Sequence, residues 1–548
     1  MKSLNLRILK KKLEPYDWKL LLFLVLVMNV KLVVKVLALL LMTLLERKNI
    51  SLENMARQPY LFFYFGMMAI TLINLLLQIK TIPANYLPAV ALGIFLWSIS
   101  ALAAYHLFRI VQKQDIKKLH ATVCLFFLSH IAIIFFNLLL IMFKTGSINP
   151  YTYRGLNQKY YISTGDFISG ITFDSPVTTA FICAFGILYF LFRRQFLFSI
   201  MAMASLLLIG SNLTNIFMIG IFVTTFLLRT DRYQKSLVVV YCCMLIIFLA
   251  KISPQNNEYV ISFVYKMIGK PYYLPPIKNI LPEALKKMPD HLLTFEQQRK
   301  KTSLLYIDSI SAAMNPEKTV AENKRSQIDS FAKNTVVAKR NKQFYEYRPG
   351  ADILEKENEN GLLLQSMFTP GERDSLQQLY DWEKPGKWIA YRQLTDFFQK
   401  HPIKVLTGTG IGNFSSRLAF KATALGMAGS YPEKYAYIHP LFRSHYFYLY
   451  LQYHSQKQAR HTAANTPDSV YSQLLGEYGM AGVFIFIFFY TGYFIRHRRL
   501  RGVGLPMLLL LLGAFLIEYV FEQLSIVLLF ELLMFLNMKT LLKEEQKV

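Results

Sequence analysis

Cysteine is scarce in this sequence, and none of it lies in a hydrophilic segment. The four cysteines, Cys124, Cys183, Cys242 and Cys243, all fall inside apolar runs. This placement argues against a disulfide framework and against a thiolate metal site. Any hydrophilic domain of the chain therefore has to fold without such cross-links.

Charged residues are also few. Asp, Glu, Lys and Arg make up 17% of the 548 residues, whereas hydrophobic residues make up 53%. Soluble domains usually carry about 25% charged residues. With a mean hydropathy of +0.30, the composition argues against a cytosolic enzyme, a disordered chain or a fibrous protein. It predicts an all-α polytopic membrane protein.

Apolar segments of about 20 residues, the length that crosses a bilayer, recur along the chain. Clear candidates are 59–78, 88–108, 122–143, 176–192, 237–251, 480–495 and 523–538, and shorter ones are 195–209, 213–228 and 503–519. The stretch 18–45 is either one tilted helix or a hairpin of two. In a hairpin, its central Lys31 and Lys35 are expected to snorkel to the membrane surface. In a single helix they would line a cavity.

Basic residues predict the orientation, because short cytoplasmic loops collect Lys and Arg. With 18–45 as a hairpin and the N-terminus cytoplasmic, the inside segments hold 24 Lys and Arg and the short outside segments hold four. We therefore predict about 12 transmembrane helices with both termini cytoplasmic. No signal peptide is expected, since the first apolar run is too long and no small-residue cleavage site follows it. The net charge of +27 is then mainly a topology signal, and no nucleic-acid partner is expected.

The predicted spans divide the chain into three parts. Residues 1–251 form an N-terminal bundle of about nine spans, 252–479 form one large hydrophilic loop, and 480–548 hold the last three spans. The first part of the loop is charged and proline-punctuated, which is typical of surface helices and connectors. Residues 363–479 are richer in Tyr, Phe, Gly and His, and we expect them to fold against the membrane.

Three motifs stand out in this second part of the loop. The segment 408–414 (GTGIGNF) is either a plain tight turn or one whose backbone N–H groups bind an anion. Upstream, an amphipathic pattern from Ile389 to Gln399 predicts a helix that His401-Pro402 ends. The many aromatic residues between 431 and 453 either stack on sugar rings or lie at the membrane interface.

The segment 467–482 (PDSVYSQLLGEYGMAG) leads directly into a predicted span. It resembles the signature of the O-antigen ligase and polysaccharide polymerase superfamily, roughly His-Asn-x-Tyr-Leu-x-x-Leu-x-Glu-x-Gly-x-x-Gly before a helix. The segment from Gly386 to Tyr391, Pro402 and the 408–414 turn resemble the same family's Gly-Arg-x-x-x-Trp, Pro and Gly-x-Gly-x-Gly-Asn-Phe series. The motifs cover about 100 residues, and the predicted topology resembles that of the family over the whole chain.

The resemblance implies a GT-C-type glycosyltransferase of the bacterial inner membrane, with a large, mostly helical periplasmic loop. Such enzymes take a glycan from an undecaprenyl-pyrophosphate carrier. They pass it to a lipid A core, to a growing polysaccharide or, in some relatives, to a protein hydroxyl. The family implies no metal and no other cofactor: basic residues hold the pyrophosphate, and a base activates the acceptor hydroxyl.

This sequence departs from the family pattern at three positions. The family's motif His is Asp468 here, its loop Arg is Lys387, and Ser211-Asn212 stands where the family often has Ser-Arg. The first change leaves the identity of the base open, the second keeps a positive charge, and the third removes one.

Two residues are candidates for the catalytic base. His445 has a side chain whose ordinary pKa suits neutral pH, whereas Asp468 would need partial burial to act as a base. The alternatives are a hydrogen-bonded structural histidine and a helix N-cap. The predicted substrate-binding residues are Lys387, Arg392, Arg417, Arg443, Glu477, Gly408, Gly410, Gly412 and Asn413.

Carboxylates inside the predicted spans are costly and usually functional or paired. Glu518 and Glu522 are spaced i, i+4, so we expect them to share a helix face near the outer surface. There they would line the catalytic cavity or pair with a loop cation. Glu531 lies deeper, and Asp174 and Asn212 are expected at the depth of the first two.

Twelve spans also suit a transporter or flippase of lipid-linked oligosaccharide. Transporters tend to consist of two similar halves with short loops. This chain has one lopsided large loop and no visible repeat, which favours an enzyme. A membrane sensor or assembly subunit without chemistry is a third possibility.

Overall fold

The computed structural model describes residues 14–29, 31–46, 52–79, 82–153, 168–173, 175–227, 231–253, 261, 265, 286, 301–302, 304–305, 359–382, 384–427, 429, 431–455, 465–496 and 502–546. The chain forms two compact units. The first comprises Met1–Pro150, Gly165–Phe248 and Ile353–Val548, and the second Tyr151–Thr164 and Leu249–Asp352. The sites discussed below lie in the first unit. The first part of the predicted loop, up to residue 358, lies almost entirely outside the described residues.

All regular structure in the described residues is helical. Before the loop, the helices are α1 (Trp18–Val27), α2 (Leu32–Leu45), α3 (Leu52–Ala56), α4 (Pro59–Gln78), α5 (Ala84–Lys113), α6 (Ile116–Thr145), α7 (Pro176–Phe192), α8 (Phe196–Ile209), α9 (Asn212–Leu227) and α10 (Arg232–Ile252). In the loop, they are α11 (Pro370–Leu379), α12 (Gly386–Lys400), α13 (Lys404–Thr407), α14 (Arg417–Ala422) and α15 (Tyr448–His454). The last are α16 (Val470–Ile495), α17 (Gly504–Phe515), α18 (Val520–Gln523) and α19 (Ser525–Glu545).

Six of these helices, α4, α5, α6, α10, α16 and α19, are long and apolar enough to cross a membrane. Six shorter apolar helices, α1, α2, α7, α8, α9 and α17, accompany them. The prediction of an all-α membrane protein is consistent with these helices. Each of the twelve predicted segments coincides with one apolar helix, and a total of twelve crossings stays a prediction.

The stretch 18–45 forms two helices. Asp17 caps α1 by accepting the N–H groups of Lys19 and Leu20, and the chain leaves the helical conformation before α2 begins. The expectation that Lys35 snorkels is wrong. Its side chain is 1% exposed, and Nζ donates to Ser525 Oγ at 2.6 Å. A buried lysine of α2 is therefore fastened to the start of α19.

The last membrane helices are interrupted where they meet the loop. Within α16, Gly479 has φ 64° and breaks the helical conformation. After α17 ends at Phe515, the chain forms only the short α18 before Leu524, at φ 68°, starts α19. Glu518 and Glu522 therefore do not share one continuous helix, as the i, i+4 spacing predicted. They lie in the irregular connection between two spans.

The aromatic residues of the loop form a hydrophobic core. Phe442, Tyr446, Phe447 and Tyr448 are fully buried, together with residues from α12, the 408–414 turn and Tyr519 of the last connection. Neither sugar stacking nor an interface belt describes these rings, because they pack on one another. This core holds the second part of the loop against the ends of the last spans.

Candidate functional site

The glycine-rich turn is docked on two membrane helices. Asn74 of α4 donates to the carbonyl of Thr407 at 2.8 Å, and the Tyr86 hydroxyl of α5 donates to the carbonyl of Ile411 at 2.8 Å. A Cβ placed on Gly93 of α5 would lie 2.2 Å from Ile411 Cδ1. The turn is thus held by specific bonds and close packing at the loop end of the bundle.

The backbone of the 408–414 turn is hydrogen-bonded to the backbone of α16. Thr409 N–H donates to the Gly476 carbonyl at 2.9 Å, and Gly410 N–H donates to the Glu477 carbonyl at 3.0 Å. A Cβ on Gly408, which has φ 71°, would lie 2.4 Å from the Glu477 carbonyl group. Only glycine allows so close an approach at this backbone angle.

The Glu477 carboxyl group accepts hydrogen bonds at the end of this turn. Its buried carboxylate accepts the N–H of Ser415 at 3.0 Å and that of Phe414 at 3.4 Å. Asn413 is 1% exposed, and its amide donates to the Thr409 carbonyl at 2.9 Å. These contacts place Glu477, the turn glycines and Asn413 in the joint between the loop and the spans.

Half-buried charges gather where the loop meets the last spans, and we call this group the membrane-edge cluster. Its members are Lys387, Arg417, Asp468, Glu518 and Glu522. They come from the start of α12, the start of α14, the segment before α16 and the connection between α17 and α19. Each member interacts electrostatically with at least one of the others. Four segments distant in sequence therefore converge on one charged cluster.

Lys387 is oriented by backbone carbonyl groups. Its Nζ donates to the carbonyl of Asp468 at 2.5 Å and to that of Ile517 at 3.4 Å. Burial lowers the pKa of Lys387 to about 8, against the opposing effect of the carboxylates of Asp468 and Glu518. The side chain ties the first turn of α12 to both segments that flank the last spans.

Asp468 does not cap α16, so that alternative from the sequence is wrong. Ser469 is the N-cap, and its Oγ accepts the N–H of Tyr471 at 3.2 Å. The Asp468 carboxylate accepts no hydrogen bond from the described residues. Burial and the Glu518 carboxylate raise its pKa to about 7. A carboxylate with such a pKa is matched to proton transfer near neutral pH.

Arg417 and Glu522 differ in how they are bonded. Glu522 accepts the Leu418 N–H at 2.7 Å and the Gln473 side-chain amide at 2.5 Å. Arg417 interacts electrostatically with the cluster's three carboxylates. Its guanidinium makes no hydrogen bond within the described part of the chain. Arg417 is thus the cation of the cluster whose N–H groups are available to bind a ligand.

His445 lies elsewhere in the loop. It belongs to a π-helical turn before α15, and its Nδ1 lies 2.9 Å from the Leu441 carbonyl oxygen. Burial lowers its pKa, and the charged groups that act on it include Lys400 and Asp396 of α12. The structure does not bring His445 together with Asp468.

Arg443 and Arg392 also stand apart from the cluster. Arg443 forms an ion pair with Glu372 at 3.2 Å and lies over the Phe368 ring, 4.7 Å from its centroid. Arg392 is exposed on α12. The cations that the sequence proposed together are thus divided, with Lys387 and Arg417 in the cluster and the other two outside it.

The remaining predicted membrane groups are scattered. The Glu531 carboxylate accepts the Tyr64 hydroxyl at 2.5 Å inside the bundle, Asn212 is buried at the start of α9, and Asp174 lies outside the described residues.

Among the residues that the structure describes, no group of three or more His, Cys, Asp or Glu could hold a metal ion. Sequence reasoning missed Gln473 and the Ile517 carbonyl, because no residue pattern marks a backbone acceptor.

Comparisons with models of protein families, with curated proteins and with solved structures find no match to this chain. The membrane-edge cluster and the sequence motifs are therefore the features that indicate a function.

Proposed function

We propose that the chain is a membrane glycosyltransferase of the O-antigen ligase or repeat-unit polymerase type. It moves a glycan from an undecaprenyl-pyrophosphate carrier to an acceptor hydroxyl at the periplasmic face of the inner membrane. The observation that carries the proposal is the membrane-edge cluster. It combines three groups. Two backbone carbonyls orient the Lys387 ammonium, whereas the Arg417 guanidinium and the Asp468 carboxylate make no hydrogen bond within the described residues.

The reaction assigns a task to each of these groups. The acceptor hydroxyl oxygen attacks the anomeric carbon of the donor sugar, and the bond from that carbon to the pyrophosphate oxygen breaks. The hydroxyl proton passes to the Asp468 carboxylate as general base. The carrier pyrophosphate leaves with the bonding electrons, and Arg417 and Lys387 stabilise its charge.

Asp468 is preferred to His445 as the base for a geometric reason. Asp468 interacts with both Arg417 and Lys387, so a proton acceptor and the leaving-group cations lie at one place. The charged groups that act on His445 are instead Lys400, Asp396 and His401.

The surroundings of the cluster suit a lipid-linked donor. Trp388, next to Lys387, is 59% exposed, and Leu516, next to Ile517, is 37% exposed. Apolar side chains therefore flank the cations at the membrane edge. They offer contact for the first isoprene units of a carrier whose pyrophosphate reaches the cluster. The acceptor would be a lipid A core or a growing polysaccharide.

The experiment that tests the proposal is the glycan profile of cells that lack the protein, separated by size. Capped core with a single repeat unit would identify a polymerase, and uncapped core with accumulating carrier-linked chains would identify a ligase. A change in capsule or exopolysaccharide alone would place the same chemistry on another acceptor. If every surface glycan is unchanged, the transferase proposal is wrong.

Variants expressed in cells that lack the protein test whether the glycan profile depends on the cluster. Arg417→Ala should fail to restore the wild-type profile, although the protein is made and inserted. The matched control is Lys434→Ala, which removes an exposed loop cation that lies over the Tyr435 ring and outside the cluster. This control should restore the profile fully. Equal restoration by both variants would contradict the assignment of Arg417.

A further inference from the structure

A cavity of about 560 Å³ opens at the other end of the helical bundle. It is lined by the start of α6, the residues after α7, Thr540 of α19 and Tyr16 before α1. The membrane-edge cluster adjoins the start of α19 at Ser525. Thr540 lies 15 residues further along the same helix, or about 22 Å at 1.5 Å per residue. The cavity is therefore separate from the proposed transfer site.

The polar side of this cavity is basic. Lys117 of α6 and Arg193 after α7 both line it and are both exposed, and no Asp or Glu of the described residues is among its lining groups. Between them, His120 is held by the Tyr189 hydroxyl at 2.9 Å and Thr540 Oγ1 at 3.3 Å. The lining thus carries two exposed cations and, among the described residues, no acidic side chain.

The other side of the cavity is an apolar strip on α6. Ala121, Leu125 and Leu128 are spaced four and three residues apart, so they share one helix face, and all three line the cavity while half-buried. From Lys117 to Leu128 the strip extends about 16 Å. This length is about half the thickness of the hydrocarbon core of a bilayer, which suits an acyl chain.

We propose that this cavity binds one anionic phospholipid, such as phosphatidylglycerol. Lys117 and Arg193 hold the phosphodiester, and an acyl chain follows the strip on α6. Basic recesses between membrane helices bind anionic headgroups in this way. The site is independent of the proposed transferase reaction.

The test is lipid binding by the purified full-length protein after exhaustive delipidation, measured by native mass spectrometry and by thermal stabilisation. Phosphatidylglycerol should bind, whereas phosphatidylcholine and free glycerol phosphate at the same concentration should not. Lys117→Gln or Arg193→Gln should weaken phosphatidylglycerol binding about 5-fold each, and the double variant about 30-fold. Lys118→Gln is the matched control, since it removes a neighbouring positive charge that does not line the cavity; it should bind like the wild type.

Three results would overturn the proposal. One is equal binding of phosphatidylcholine, and another is equal weakening by Lys117→Gln and Lys118→Gln. The third is binding of free glycerol phosphate as strong as that of the lipid, which would make the cavity a site for a soluble phosphate. If the variants fold poorly, the salt dependence of phosphatidylglycerol binding to the wild-type protein tests the proposal instead. Higher ionic strength should weaken the binding of phosphatidylglycerol, and binding that is indifferent to salt contradicts the assigned cations.

Discussion

Burial changes the chemistry of two residues in the membrane-edge cluster. The pKa of Asp468 is raised to about 7 and that of Lys387 is lowered to about 8. An exposed aspartate is a weak base at neutral pH, and an exposed lysine stays protonated well above it. In this cluster the two groups change charge within a narrow pH range. The state in which Asp468 is deprotonated while Lys387 is still charged is therefore most populated between the two pKa values.

The rate of transfer is therefore expected to be bell-shaped in pH. It should rise as Asp468 loses its proton near pH 7 and fall as Lys387 loses its proton near pH 8. Initial rates of the purified protein across this range measure both limbs. Lys387→Arg keeps the charge at all these pH values, so it should remove the alkaline limb and leave the acid limb in place. An alkaline limb that persists in this variant would contradict the role of Lys387.

Loss of the base should lower the rate more than it lowers donor binding. Asp468→Asn is expected to reduce the transfer rate about 100-fold or more, with donor affinity changed little, because the cations remain. Asp374→Asn is the matched control, since Asp374 is exposed on α11; it should transfer at the wild-type rate. If Asp468→Asn were fully active, Asp468 would not be the base, and His445 would be the remaining candidate.

At the scale of elements, the joint between the 408–414 turn and α16 positions the cluster. Gly479 has φ 64°, and a Cβ there would lie 2.5 Å from the Leu406 carbonyl oxygen and 2.6 Å from Gly408 N. Backbone atoms cannot move aside as a flexible side chain can. The close crossing therefore depends on glycine on both sides.

Gly479→Ala should destabilise the protein strongly. The left-handed backbone angle costs about 1–2 kcal/mol for a non-glycine residue, and overpacking adds about 1–3 kcal/mol. The measurement is the apparent melting temperature in detergent. Gly371→Ala in α11 is the control, because nothing lies within 4 Å of its added Cβ, and it should melt at the same temperature or slightly higher. Equal melting of the two variants would contradict the tight crossing.

Many helix positions and helix ends could be predicted from the sequence, because hydrophobic runs and stop signals are local. The end of α12 at Lys400 before His401-Pro402 followed from such signals. The local pattern of 18–45 left one helix or two open, and the distribution of Lys and Arg favoured the two that the structure has. The burial of Lys35 and the engagement of Glu477 with Ser415 could not be predicted. Each depends on a partner distant in the chain that no local pattern reveals.

At the scale of the whole molecule, the account predicts a topology. The loop should lie in the periplasm and both termini in the cytoplasm. In a variant without the four native cysteines, Lys434→Cys should react with a thiol reagent that cannot cross the inner membrane. Lys543→Cys, near the end of α19, should react only after permeabilisation. The reverse pattern would contradict the orientation read from the basic residues.

The twelve apolar segments show how far composition predicts the fold of a whole membrane protein. The positions of the apolar helices followed from the sequence, since apolar length is a strong signal, and six of these helices are long enough to cross a membrane. The candidate site followed only in part. Lys387, Arg417 and Asp468 were proposed together and meet in the cluster, whereas Arg443 is bound to Glu372, because sequence proximity to a motif does not fix where a side chain points.

Transfer by the purified protein distinguishes a glycosyltransferase from a membrane protein without this chemistry. The reaction contains an undecaprenyl-pyrophosphate-linked glycan and a hydroxyl acceptor, either lipid A core or a second carrier-linked chain. Joined product and released undecaprenyl pyrophosphate are expected in equal amounts. Arg417→Ala and Asp468→Asn should form both much more slowly, about 100-fold or more for Asp468→Asn. Absence of transfer to both acceptors by a folded wild-type protein, or undiminished transfer by both variants, would contradict the account.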